Sequence, residues 1–198
     1  MNFNHGHPLE YVVIEDFYTE DELVLIWREL EFLAPKLLGP SETRSAHEDG
    51  VYLKHNTGIF LDNVYLNRDV SDILKINRKL WSEEVLNYLE TISPWWRLLR
   101  ATNKDTTLLN YYNNNQYYKP HVDTAVISAS SVLCKNENNF TGGEFVFPEY
   151  NITIPCKSNS IIIFPSVVQH GVTPIEVLDQ SKESTGRYSI AQFCTFKE

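Results

Sequence analysis

After Pro94 the chain breaks into eight short β-prone segments, and no other feature constrains its fold as strongly. They cover residues 96–102, 106–112, 125–134, 144–147, 152–155, 160–164, 167–173 and 187–196. Turn-forming runs divide them: Asn103-Lys104-Asp105, residues 136–141 with Gly142-Gly143, and Lys157-Ser158-Asn159. Short strands at this spacing, separated by Asn, Asp and Gly, predict a sandwich or barrel.

The first 94 residues follow another rhythm. Residues 9–14 read as a short strand. Thr19 and Glu22 form a capping box that opens a helix. Leu23, Ile26, Trp27, Leu30 and Leu33 follow at helical spacing, and Pro35 stops them. Residues 38–54, rich in charge, Gly and Pro, read as a long loop. A second helix is expected over 69–90, with Ile73, Ile76, Leu80, Trp81, Val85 and Leu89 on its apolar face and a bend near Ser82. The pattern predicts a mainly β fold with flanking helices in one domain, 1–198. Helical N-terminal support takes about 1–94 and a β core about 95–198. A chain of 198 residues can bury about 70% of its unfolded surface without disulfides.

Charge and composition narrow the function classes. Seventeen basic against 26 acidic residues leave a net charge of −9, a poor electrostatic match for nucleic acid. No apolar run approaches the roughly 18 residues of a membrane span. The start, from Met1 to His7, lacks the pattern of a signal peptide. Cys134, Cys156 and Cys194 are odd in number and widely spaced. They are expected to be reduced packing residues of a cytoplasmic protein.

His121 and Asp123 stand two apart in an expected strand, so they share a face. His170 lies 47 residues further on (170 − 123), in the strand-like V-V-Q-H-G-V. Two histidines and one carboxylate on one side of a metal leave three positions open, which suits non-haem Fe(II) and oxygen chemistry. Each residue alone would more often be an ordinary hydrogen-bonded side chain; their order inside the β-rich half favours a shared metal. His5, His7, His47 and His55 fall in the polar N-terminus or the long loop and are set aside. Arg187 and Ser189 also share a strand face, beside Ile190, Phe193 and Phe196. A guanidinium fork with a neighbouring hydroxyl grips a carboxylate. An Arg buried there needs an anion, and if the protein supplies none a ligand must. Tyr111, Tyr112, Tyr117 and Tyr118 offer ring walls and hydroxyl donors to a cleft.

These residues carry a resemblance. Tyr112, Gln116, Tyr118, His121 and Asp123 resemble the prolyl 4-hydroxylase pattern Y-x-x-G-Q-x-Y-x-x-H-x-D, with Asn115 where that pattern has glycine. The run from Thr141 to Pro148 is similar to the family's G-G-x-T-x-F-P, with Phe145 at the Thr position. V-V-Q-H-G-V and G-R-Y-S-I-A-Q-F follow in the family's order, and the similarity extends over about 108–196. It implies an Fe(II)/2-oxoglutarate-dependent dioxygenase built on a double-stranded β-helix, a jelly-roll, cupin-like barrel.

On that resemblance His121, Asp123 and His170 would ligate Fe(II), and Arg187 would hold the far carboxylate of 2-oxoglutarate, aided by Ser189 and Tyr112. Tyr118 and Phe193 would line the substrate side, with molecular oxygen as co-substrate and ascorbate as reductant. The reaction implied is hydroxylation of an unactivated C–H bond, in a peptidyl proline or other protein side chain. A free amino acid or small metabolite is the alternative substrate, and a non-catalytic jelly-roll binding module the alternative function. Three departures bear on prolyl specificity. Arg187 replaces the usual lysine, Cys134 stands where some relatives have a co-substrate tyrosine, and a loop is inserted over 176–185. Residues 46–60 are the expected lid or substrate-recognition segment.

Overall fold

The computed structural model describes residues 1–181 and 185–197. The chain opens with an antiparallel pair, β1 (Asn2–Gly6) and β2 (Tyr11–Glu15). Helix α1 (Glu20–Leu33) begins at the expected capping box: Glu22 N–H donates to the Thr19 hydroxyl, and Thr19 N–H donates back to the Glu22 carboxylate. The region expected as a loop, 38–54, carries short strands, which continue just beyond it. It holds a hairpin, β3 (His47–Glu48) and β4 (Val51–Tyr52), then β5 (Lys54–His55) and β6 (Thr57–Phe60). Asp49 and Gly50 both take positive φ, the demand of a tight two-residue hairpin turn.

The helix expected over 69–90 divides. A short α2 (Leu61–Val64) precedes it, and α3 (Asp72–Ile76) and α4 (Glu83–Ile92) are joined by a 3-10 stretch. The sequence contains two helix starts. Ser71 accepts from Leu74 N–H and Ser82 accepts from Val85 N–H, so the bend near Ser82 is a true N-cap. Buried Glu29 of α1 ties down the first start, accepting from Ser71 Oγ at 2.6 Å and Ile73 N at 2.8 Å.

The strand expected over 96–102 is instead α5 (Arg97–Ala101). Ser93 and Pro94 start a helical turn there. Trp96 and Leu99, three apart, are both fully buried, while Arg100 pairs outward with Glu83 and Glu90. Aromatic residues with strand propensity thus serve a helical face.

Ten further strands complete the fold: β7 (Lys104–Tyr112), β8 (Tyr117–His121), β9 (Ile127–Leu133), β10 (Phe140–Gly142), β11 (Phe145–Phe147), β12 (Ile152–Ile154), β13 (Ser160–Pro165), β14 (His170–Val172), β15 (Ile175–Val177) and β16 (Arg187–Thr195). A seven-stranded antiparallel sheet runs β1-β2-β13-β9-β16-β7-β6, and a five-stranded one runs β12-β11-β14-β8-β5. The two face each other as a jelly roll. β15 occupies the start of the expected 176–185 loop, whose residues 182–184 lie outside the described residues.

Alternation along the large sheet separates two interiors. Tyr188, Ile190 and Cys194 of β16 join Val12, Ile14, Ile161 and Ile163 beneath the helices. The opposite face of the same strands, with Ile162 and Phe164, meets Phe145 and Phe147 of the small sheet. Among the described residues no helix is long and apolar enough to cross a membrane. The three cysteines are free thiols.

Candidate metal and co-substrate site

Between the sheets lies a cavity of about 390 Å³, lined among others by Tyr112, Tyr118, His121, Asp123, His170 and Phe193. His121 ends β8 and His170 begins β14, and the two are direct cross-strand partners. Asp123 does not share a strand with His121, as the sequence suggested. β8 stops at His121, and Asp123 sits in the turn beyond, its N–H donating to Ser166 O at 2.9 Å. The turn still delivers the carboxylate: Asp123 Oδ1 lies 3.6 Å from His121 Nε2, and Oδ2 lies 3.4 Å from His170 Nε2. One donor atom from each residue falls within 4.8 Å of the others.

The second nitrogen of each imidazole fixes its protonation. His121 Nδ1 meets Lys119 O, and His170 Nδ1 meets Val168 O, both at 2.9 Å. A carbonyl only accepts, so the proton belongs on Nδ1 and each Nε2 keeps its lone pair toward Asp123, as metal-binding histidines require. Burial, with help from His170, brings the His121 pKa down to about 4. Burial pushes Asp123 up, but the neighbouring His170 imidazole and the hydroxyl of Ser128 outweigh it and hold the carboxyl below its usual range. Two imidazoles and one carboxylate are a donor set that fits Fe(II). Tyr118 stacks on His121, ring centroids 3.6 Å apart, and Phe145 lies parallel over His170 at 5.5 Å.

The facing sheet supplies the other pole. Arg187 of β16 pairs in register with Tyr112 of β7, its guanidinium 4.8 Å from the phenol ring centre. It is fully buried, and among the described residues Nε, Nη1 and Nη2 all lack a hydrogen-bond partner. Five donors of a permanent cation, sealed from water without an acceptor, require an anionic ligand. Burial pushes the Tyr112 phenol up, keeping it a proton donor. Ser189 is buried, and its hydroxyl lies 2.8 Å from that of Ser130.

The expected metal ligands and Tyr112, Tyr118, Ser189 and Phe193 line one space, and Arg187 lies against its Tyr112 wall; Tyr111 and Tyr117, also expected at the cleft, pack elsewhere, against Tyr188 and His55. Sequence reasoning missed Ser128, whose Oγ donates to Asp123 Oδ2 at 2.6 Å. The alternation Ser128-Ala129-Ser130 inside an apolar strand was the available sign that a polar interior faced that side. The carbonyls of Lys119 and Val168 left no side-chain trace.

Residues 106–195 match the family model described as the 2OG-Fe(II) oxygenase superfamily. That match falls on the stretch whose residues carry the resemblance to Fe(II)/2-oxoglutarate dioxygenases, and the solved structures share the jelly-roll fold. Fe(II) and 2-oxoglutarate, the pair named in that description, are what this site fits. Among curated proteins, the PKHD-type hydroxylase YbiX of Shigella sonnei is 27% identical over 107 residues, 46% of this chain and 47% of that protein. YbiX of Escherichia coli matches to the same extent. The chain thus matches about half the length of these relatives. Among solved structures, a Pseudomonas putida prolyl-4-hydroxylase superposes with a TM-score of 0.63 at 12% identity, covering 96% of this chain and 95% of that one. A prolyl hydroxylase from Trichoplax adhaerens, solved with a hypoxia inducible factor peptide fragment, gives 0.62 at 12%, covering 93% and 83%.

Proposed function

We propose that this protein is an Fe(II)- and 2-oxoglutarate-dependent dioxygenase that hydroxylates an unactivated C–H bond, in a peptidyl proline or another protein side chain. The observation carrying this reading is Arg187: a buried guanidinium without an acceptor, in the same interior as a His/Asp/His cluster. The likeness of fold to a prolyl hydroxylase solved with a peptide supports a protein substrate. The whole chain acts as one unit, with the helices bracing the large sheet from outside.

In this reading His121, Asp123 and His170 hold the metal. Arg187, Ser189 and Tyr112 bind the far carboxylate of 2-oxoglutarate, and Tyr118 and Phe193 flank the substrate. The bound iron and co-substrate supply oxygen activation coupled to loss of carbon dioxide. The protein's contribution is placement. Lys119 O and Val168 O aim the imidazoles, Ser128 aims the carboxylate, and Arg187 fixes the co-substrate's orientation. Phe145, Phe164 and Tyr118 keep water from the metal's protein side. His121→Ala and Asp123→Ala should each abolish succinate formation from 2-oxoglutarate and lower metal content after loading. Unchanged turnover in either variant ends the assignment.

A further inference from the structure

Directly behind the stretch of cavity wall formed by Thr43 and Asn110 lies a buried polar group that the proposed chemistry does not use. Lys54 of β5 is buried, and its Nζ donates to Thr43 Oγ1 at 3.0 Å. Among the described residues no carboxylate lies within ion-pair distance of it. Burial brings its pKa down to about 7. Asn110 of β7 lines the cavity and is 4% exposed, and among the described residues its Oδ1 has no hydrogen-bond partner.

Gly58 of β6 holds the two groups on one spot. A Cβ at Gly58 would stand 2.9 Å from Asn110 Oδ1 and 3.3 Å from Lys54 Nζ, and 2.7 Å from Leu109 O. Only glycine lets both side chains pack this close to β6. Thr43 and Arg44 line the same cavity, with the Arg44 guanidinium 5.4 Å from the Phe60 ring centre. An amine keeps two donors beyond the one Thr43 takes. The amide oxygen beside it wants a donor. Arg187 is registered against Tyr112, not Asn110, so the co-substrate's far carboxylate already has its partner elsewhere.

We infer that Lys54, Asn110 and Thr43 form a substrate-recognition subsite that takes a carboxylate of the substrate on the amine and a neighbouring N–H or O–H on the amide oxygen. This deepens the proposed function and rests on it: the favoured substrate carries an acid group close to the carbon that is oxidised. The acid could belong to a free amino acid or to an acidic residue of a peptide. Both present the same chemistry to Lys54.

The first test needs no turnover. Protein labelled with 13C at lysine Cε is loaded with Zn(II) and saturating 2-oxoglutarate, then titrated with acetate or with the neutral isostere acetamide. The Lys54 signal, identified by its absence in Lys54→Met, should move saturably with acetate, on the order of millimolar, and not with acetamide. Equal response to both, or to neither, overturns the inference. In Lys54→Met the affinity for 2-oxoglutarate, measured calorimetrically, should stay near the wild-type value; a loss of about tenfold or more would assign the amine to the co-substrate and also overturn it. Turnover then identifies the source of the acid. Free amino acids and acidic peptides are each compared with their amides, and the productive class should lose about tenfold or more in kcat/KM on amidation. Lys54→Met should erase that difference. If no compound yields succinate, the dioxygenase reading fails while the acetate result still decides the subsite.

Discussion

The most consequential residue is Arg187, because removing it should separate binding from stability. With its three nitrogens unpartnered among the described residues, the guanidinium carries a desolvation cost offset only by its contact with the Tyr112 ring until an anion arrives. Arg187→Met should raise the KM for 2-oxoglutarate about tenfold or more, the scale of a lost charge-assisted pair, while melting in the absence of 2-oxoglutarate stays the same or rises. A variant that melts lower would show a structural role. His121 carries a pH prediction. Its pKa falls from 6.5 to about 4 in the fold, so between those values the unfolded chain takes up a proton the folded one refuses. Stability of the metal-free protein is then full above about pH 6.5 and declines as pH drops toward 4. His121→Asn should flatten that slope in a melting series; an undiminished slope would place its origin elsewhere. At this scale the sequence was legible. Residue order and strand parity brought His121, His170, Arg187 and Ser189 to one interior, and the resemblance added Tyr112, Tyr118 and Phe193. Partners contributed by backbone carbonyls, or by distant segments such as Lys54, leave no local pattern to read.

At the level of elements, strand and helix compete for the same residues, and packing decides. Trp96 and Leu99 of the α5 region insert into the core beneath the large sheet, and Trp96→Ala should cost about 3–5 kcal/mol in denaturant unfolding. A cost below about 1 kcal/mol would contradict the burial. That stretch misled the sequence reading because W-W-R-L-L has strand-prone residues and no alternation to betray a single helical turn. The capping box of α1 was legible because its signal is local, four residues long. Strands β5 and β6 were illegible because their partners, β8 and β7, lie some fifty or more residues ahead in the chain. The segment expected as a lid is rooted at the site: Ala46 N–H donates to the Tyr118 hydroxyl at 3.1 Å, and Tyr118 stacks on His121. Tyr118→Phe should loosen residues 46–52, read as faster amide exchange there, with iron affinity retained.

For the molecule as a whole, the cluster of His121, Asp123 and His170 links neighbouring strands of the small sheet, so metal binding and folding are coupled. At a free metal concentration a hundredfold above Kd, linkage adds about 2.7 kcal/mol to stability. Calorimetric melting with Zn(II) should show this increment, and Asp123→Ala should remove most of it. The same architecture has a bearing on how the protein comes into being. β16 lies between β9 and β7, so the middle of the large sheet is made from its last strand. On the ribosome, β7 and β9 emerge with facing edges unsatisfied, and they stay so until residue 195 has cleared the exit tunnel. Each nascent chain must therefore wait, with two open strand edges that invite pairing with other polypeptides. That interval of exposed edges is set by topology alone.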